Sequence, residues 1–357
     1  MLHDIPPLAE VRRVTEKKRD AWWTVLLVDP VATPLVRFTA RRARWVTPNG
    51  ITWAALVLGL GAAACFAQGD WRWLLAGAAL YHVSFVLDCM DGKLARLTGT
   101  GSVFGAWLDY VFDRVRVLFC AVALMGGQYV RTGDVLYVWL ALAVVFLDML
   151  RYVDALQIFK IRHGMRKQIK ARARQARRAG AEREVAFMED LLRDNPEADT
   201  EVGTRADADA ADAADAAGAA GAAGVVAVPV AGAAADGGPE GAGLPGAAVA
   251  PVPTGVVDLH QEFRSRFPWY ARFRTFLLRR RIRTHLVSGI EFQMAVFIVG
   301  PAVGALVPVT VGAAVLLMVF ELAIIYKLLL STRDFARTLA SFDAQEKEEH
   351  PELPAAA

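Results

Sequence analysis

Cysteine is nearly missing from this chain: Cys65, Cys89 and Cys120 are the only three in 357 residues. An odd number, without metal-ligand spacing, excludes a disulfide framework and a zinc site, and leaves small apolar packing residues as the reading. The six histidines show no ligand spacing either. Overall charge is low, with a formal net of +3. The basic clusters sit beside apolar runs and alternate with apolar residues, which argues against a nucleic-acid partner. A cleavable signal peptide is not expected, because residues 1–20 are polar and charged.

What the chain has in abundance is apolar sequence. It is 55% hydrophobic with a mean hydropathy of +0.32, too apolar for an ordinary soluble domain. Apolar runs at 51–68, 73–87, 103–125, 135–159, 286–307 and 309–330 approach the roughly 20 residues needed to cross a bilayer core. The expected fold is therefore an all-α integral membrane protein with six transmembrane helices and amphipathic interfacial helices. Lysine and arginine set the orientation. Arg12, Arg13, Lys17, Lys18, Arg19, Arg37, Arg41, Arg42 and Arg44 precede the first run, and further clusters occupy 160–178 and 264–283. The opposite side offers little beyond Arg72 and Arg131. Both termini are expected in the cytoplasm, with the chain in the cell (inner) membrane.

Residues 1–46 read as a cytoplasmic segment with an interfacial helix, where Trp22, Trp23, Leu26 and Phe38 mix with arginines. Pro30 and Pro34 are expected to break it into short pieces. Residues 47–160 hold the first four spans, opened by Thr47-Pro48-Asn49, with Pro48 suited to a helix start. Residues 161–194 read as a charged, exposed helix. Residues 195–256, alanine, glycine and aspartate in near-repeats, read as a disordered linker. At 257–285, Phe263, Trp269, Tyr270 and Phe273 interleave with arginines, as expected of a second interfacial helix; Arg279–Arg283 would anchor it to lipid headgroups. Residues 286–331 form the last two spans, a hairpin around Pro308, and 332–357 a cytoplasmic tail.

One segment carries the chemistry. Asp88, Asp91, Gly92, Ala95, Arg96, Gly105, Asp109 and Asp113 read D-x-x-D-G-x-x-A-R, eight residues, then G-x-x-x-D-x-x-x-D. On helices, Asp88 and Asp91 are i,i+3 neighbours and Asp109 and Asp113 i,i+4, so each pair shares a face. One aspartate at a bilayer centre costs roughly 2.5–3.5 kcal/mol. Four such acids near a membrane call for a compensating charge, and a pair of divalent cations supplies it. Lys93, between them, reads as a surface charge.

This pattern is identified as the signature of the CDP-alcohol phosphotransferases, also called CDP-alcohol phosphatidyltransferases; all eight fixed positions are filled. Thr47-Pro48-Asn49-Gly50-Ile51-Thr52 also resembles that family's lead into its first helix. The resemblance implies the family's fold and transfer of a substituted phosphoryl group from a CDP-linked donor to an alcohol, releasing CMP, in phospholipid synthesis. CDP-diacylglycerol is the expected donor, and the partners are membrane lipids, an alcohol acceptor and a second copy of the chain in a homodimer. Two Mg²⁺ ions, with Mn²⁺ as the alternative, suit an all-oxygen site. Asp88, Asp91 and Asp109 are the expected metal ligands. Asp113 is expected to be the general base and a further ligand. Arg96 offers a planar fork for phosphate. Asp88, Gly92, Ala95, Arg96 and Gly105 would bind the donor, the small residues serving either close ligand approach or helix packing. Arg151, Glu291 and Arg114 are acceptor-site candidates, and salt bridges within the bundle would explain them equally. The rival readings are a transferase using a soluble CDP-polyol and, from another class, a divalent-cation transporter.

Overall fold

The computed structural model describes residues 6–43, 45–178, 184–187 and 254–349; all but the last three residues of the 195–256 linker lie outside the described residues. In chain order the helices are α1 (Leu8–Thr15), α2 (Asp29–Arg42), α3 (Pro48–Ala67), α4 (Trp71–Thr98), α5 (Val103–Thr132) and α6 (Leu136–Arg178). Two four-residue strands follow, β1 (Glu184–Phe187) and β2 (Thr254–Val257), paired in parallel. The remaining helices are α7 (Gln261–Arg266), α8 (Pro268–Arg279), α9 (Gly289–Val303) and α10 (Leu306–Glu349). The chain divides into two units: Met1–Gln157 with Phe276–Ile325, and Ile158–Thr275 with Tyr326–Ala357.

In the first unit, helix ends follow local chemistry. Thr47 caps α3 by accepting a hydrogen bond from the Gly50 N–H at 3.1 Å, with Pro48 in the first turn. Gly99, at φ +68°, ends α4 in the left-handed conformation that glycine adopts cheaply. Ser102 then caps α5 by accepting from the Gly105 N–H at 2.9 Å. Only residues 99–102 separate the two helices. That short turn forces α4 and α5 antiparallel and brings both halves of the acidic motif to the same end. Both pack on α3.

Four helices are long and apolar enough to cross a membrane: Pro48–Ala67, Trp71–Thr98, Leu136–Arg174 and Leu306–Phe342. The expected six are not all recovered by that measure. α5 carries Asp109, Asp113, Arg114 and Arg116 in its first half, and α9 has only 15 residues. Large apolar side chains stand exposed along these helices, among them Trp53, Val57, Phe119, Trp139, Phe146 and Val319. A water-facing surface of that kind is costly, and a lipid-facing one is not. The chain is a multi-pass membrane protein.

Several boundaries differ from expectation. α4 does not end with its apolar run near Leu87 but continues through the motif, because Met90, Leu94 and Lys93 are buried. Pro34 lies inside an unbroken α2, and Pro30 in its first turn, directly after a π-wound turn at Thr24–Val28. The 257–285 stretch is two helices rather than one, interrupted at Phe267-Pro268. The fourth span runs on without a break to Arg178, whereas residues 184–187 are extended.

The second unit holds a small cluster of Ile169, Phe187 and Leu259, backed by Phe335, Leu339 and Phe342. Glu262 gathers Arg266 at 2.8 Å, Arg337 at 3.4 Å and Arg333 at 3.5 Å. Lys327 lies over the rings of Phe263 and Tyr270.

Candidate active site

The motif lies in the first unit, at the end where α4 finishes and α3 and α5 begin. A cavity of about 300 Å³ opens there, lined by Asp91, Gly92, Ala95 and Arg96 from α4 and Gly105 and Asp109 from α5. Pro48, Asn49 and Thr52 of α3 and Ser102 of the turn complete it. Two helix N-termini, those of α3 and α5, therefore abut the cavity, and their unpaired N–H groups favour an anion.

Asp91, Asp109 and Asp113 lie within electrostatic reach of Asp88. Their partners divide them. Asp91 accepts a 2.5 Å hydrogen bond from the Thr52 hydroxyl. Asp109, on the cavity wall, has no hydrogen bond or ion pair among the described residues. Asp88 and Asp113 instead share Arg116, which reaches Asp88 Oδ1 at 3.2 Å and Asp113 Oδ1 through its other terminal nitrogen. The second oxygen of Asp113 is paired with Arg114.

From there a closed ring of polar contacts runs through the bundle. Arg114 also pairs with Asp148, and Asp148 Oδ1 accepts from the Gln293 amide at 2.8 Å. Gln293 Oε1 accepts from the Tyr81 hydroxyl at 3.1 Å, and the Tyr81 ring lies 5.7 Å from the Arg116 guanidinium. Both carboxylate oxygens of Asp113 are thus fixed by groups from the bundle interior.

The other expected residues fall into place unevenly. Arg96 borders the cavity, with Nε donating to the Thr15 carbonyl at 3.0 Å. At Gly92 an added Cβ would meet nothing nearer than Arg96 Nη1 at 3.6 Å, so the glycine leaves open cavity. At Gly105 it would lie 2.9 Å from Asn49 Oδ1, so that glycine serves the packing of α5 on α3. Of the acceptor candidates, Arg114 reaches the acidic group. Arg151 pairs with Glu321 at 2.8 Å. Glu291 caps α9, accepting from the Ser288 N–H at 3.0 Å, and borders a separate apolar cavity of about 530 Å³.

Lys93 is a correction. It is buried, not a surface charge, and its ammonium donates to Asp29 Oδ1 at 2.6 Å and to the Thr33 hydroxyl at 3.0 Å. Arg281 joins this group by pairing with Glu16 at 2.6 Å and reaching Asp29 at 3.4 Å, so it turns inward instead of toward headgroups. Its φ of +61° is the one positive value among the described non-glycine residues. Thr52 and Asn49 are site residues that the motif does not single out; their i,i+3 spacing in the first turn of α3 is the available signal.

The donor set can be tested against the cations that such acids imply. No cluster of three or more aspartate, glutamate, histidine or cysteine residues is preformed as a metal site among the described residues. Charge balance nevertheless favours cations. Asp88, Asp91, Asp109, Asp113 and Asp148 outnumber the two guanidiniums, Arg114 and Arg116, that pair among them, and bound cations would offset the difference. Asp109, and Asp91 beyond its bond to Thr52, offer hard oxygen ligands at the cavity wall, which suits magnesium or manganese.

Apolar helices thus surround a one-ended acidic cavity flanked by two helix N-termini. Residues 45–179 match the family model described as CDP-alcohol phosphatidyltransferase. Over 112 residues the chain is 35% identical to a phosphatidylinositol phosphate synthase of Cutibacterium acnes, a match covering 30% of this chain and 49% of that protein. The chain thus spans about half the length of the curated relative it matches.

Proposed function

We propose that the chain transfers a phosphatidyl group from CDP-diacylglycerol to an alcohol hydroxyl, releasing CMP, in phospholipid synthesis. The supporting observation is the division of the motif. One pair of acids, with Gly92 and Arg96, borders a cavity that two helix N-termini make receptive to anions, while the other pair is held from within. The pyrophosphate would enter that cavity, with the Arg96 guanidinium on a phosphate oxygen. Asp91 and Asp109 would hold the divalent cations, with the charge of Asp88 and Asp113 behind them. When bound, these offset the pyrophosphate charge and polarise the phosphoryl oxygen.

Asp113 carries the base role. The acceptor oxygen forms a bond to the lipid-linked phosphorus, the bond from that phosphorus to the CMP oxygen breaks, and the acceptor proton passes to Asp113. Arg114 is more exposed than Arg116, so it is the partner an incoming hydroxyl would displace from Asp113. The distribution of lysine and arginine supports a cytoplasmic position for the cavity. The likeness to a phosphatidylinositol phosphate synthase makes inositol phosphate the first acceptor to try.

The test is CMP release by the full chain in detergent with Mg²⁺, CDP-diacylglycerol and a panel of alcohols. Turnover that needs both a donor and one acceptor is expected. Release only from a soluble CDP-polyol would move the donor assignment. Metal uptake into vesicles with no CMP from any donor would overturn the reading in favour of transport.

A further inference from the structure

Arg116 lies outside the eight-residue motif, yet the bundle is shaped around it. It is 1% exposed, one turn beyond Asp113 on α5. Its stem passes Gly59 of α3 so closely that a Cβ there would lie 2.6 Å from Arg116 Cδ. Ser84 donates its own proton to the Ala55 carbonyl at 2.6 Å, which leaves its oxygen to accept from Arg116 Nη1 at 3.2 Å. Tyr81 presents its ring to the guanidinium. Glycine, serine and tyrosine thus form a tailored sleeve, and the charge it delivers ends between Asp88 and Asp113.

We propose that Arg116 is a tethered cation of the acidic site and the positioning residue for Asp113. Its guanidinium neutralises the inner pair of acids from the bundle side and fixes the Asp113 carboxylate. Exchangeable cations are left to the outer side, at Asp91 and Asp109. A planar fork that contacts two carboxylates at once orients them as well as neutralising them, which an ammonium cannot do equally. The role of Arg116 in turnover rests on the proposed transfer reaction; its effect on cation binding stands apart from that reading.

The experiment is Mn²⁺ titration of the full-length protein in detergent by electron paramagnetic resonance, beside CMP release. Arg116→Gln removes a positive charge next to the cation ligands. Mn²⁺ should therefore bind roughly tenfold or more tightly, while kcat falls about a hundredfold because Asp113 is no longer oriented. Opposite signs in the two readouts are the signature. A residue that merely held the bundle together would weaken both, and that result, or unchanged Mn²⁺ affinity, overturns the proposal.

Should Arg116→Gln fail to fold, Arg116→Lys decides. It keeps the charge and loses the fork, so Mn²⁺ affinity should stay within about threefold of the parent, while kcat drops and the donor KM holds. A large change in Mn²⁺ affinity, or undiminished kcat, overturns the proposal. If the parent protein releases no CMP from any donor, the transferase reading fails, and the Mn²⁺ titration still supports or overturns the tethered-cation role of Arg116.

Discussion

The outer and inner pairs of motif aspartates share a residue type and helical spacing but not an environment. Asp91 and Asp109 stand on a cavity wall, one held by a threonine hydroxyl and the other by no hydrogen bond or ion pair among the described residues. Asp88 and Asp113 lie against a buried arginine. An acid whose partner is built into the fold has its charge settled before any ligand arrives. An acid on the cavity wall with no charged partner in the fold can trade its neighbours for a cation, and then for a cation with its phosphate. The contrast divides one motif into a part that binds and a part that orients.

The largest effects should come from the acids themselves, and they should differ in kind. Asp113→Asn keeps the shape and removes the proton acceptor, so kcat should fall about 10²–10⁴-fold while Mn²⁺ binding largely survives. Asp91→Asn and Asp109→Asn should remove turnover and also most of the Mn²⁺ affinity. Manganese titration beside CMP release separates the two. Equal loss of metal binding at Asp113 and Asp109 would break the division between the pairs.

A second comparison is with the other buried ion pair on α4. Lys93 and Asp29 are 5% and 7% exposed in their side chains and 2.6 Å apart. That pair ties α2 to the motif helix. Lys93→Met strands Asp29 in the interior and should destabilise the protein by about 3–5 kcal/mol. Asp29→Leu combined with Lys93→Met should recover part of that loss, although Arg281 also leans on Asp29. Thermal unfolding in detergent reads the stability, and Mn²⁺ affinity should not move. A shift in Mn²⁺ affinity as large as that of Arg116→Gln would mean that the two buried cations act alike.

The motif is legible in the sequence because its residue types and spacing carry its chemistry: i,i+3 and i,i+4 acids share helix faces whatever surrounds them. The apolar runs are legible for a similar reason, since bilayer thickness sets their length. Ends are less so. The apolar signal of the second span stops near Leu87, but α4 persists to Thr98 because burial of Met90 and Leu94 outweighs the charges between them. Lys93 misleads because a lysine amid acids resembles a solvated charge, and its partner Asp29 is 64 residues away. Arg116 stands out in the sequence only as a residue following the motif. Its role depends on Gly59, Ser84 and Tyr81, which no local spacing connects to it. The two motif glycines cannot be told apart by sequence at all.

Those glycines supply the smallest and most pointed test. Alanine favours helix over glycine by roughly 1 kcal/mol, so Gly→Ala in α4 or α5 should stabilise unless the methyl collides. At Gly105 it collides, 2.9 Å from Asn49 Oδ1 and 3.0 Å from the capping Ser102 Oγ, so Gly105→Ala should gain nothing or lose stability. At Gly92 the methyl has room, its nearest neighbour being Arg96 Nη1 at 3.6 Å. Gly92→Ala should therefore raise the unfolding temperature slightly, while its methyl intrudes on the cavity and raises the donor KM several-fold. Stability and donor binding moving in opposite directions at Gly92, and not at Gly105, would mean that Gly92 is kept small for the ligand and Gly105 for the neighbouring helix. A Gly92→Ala protein with unchanged donor KM would remove Gly92 from the binding half of the motif.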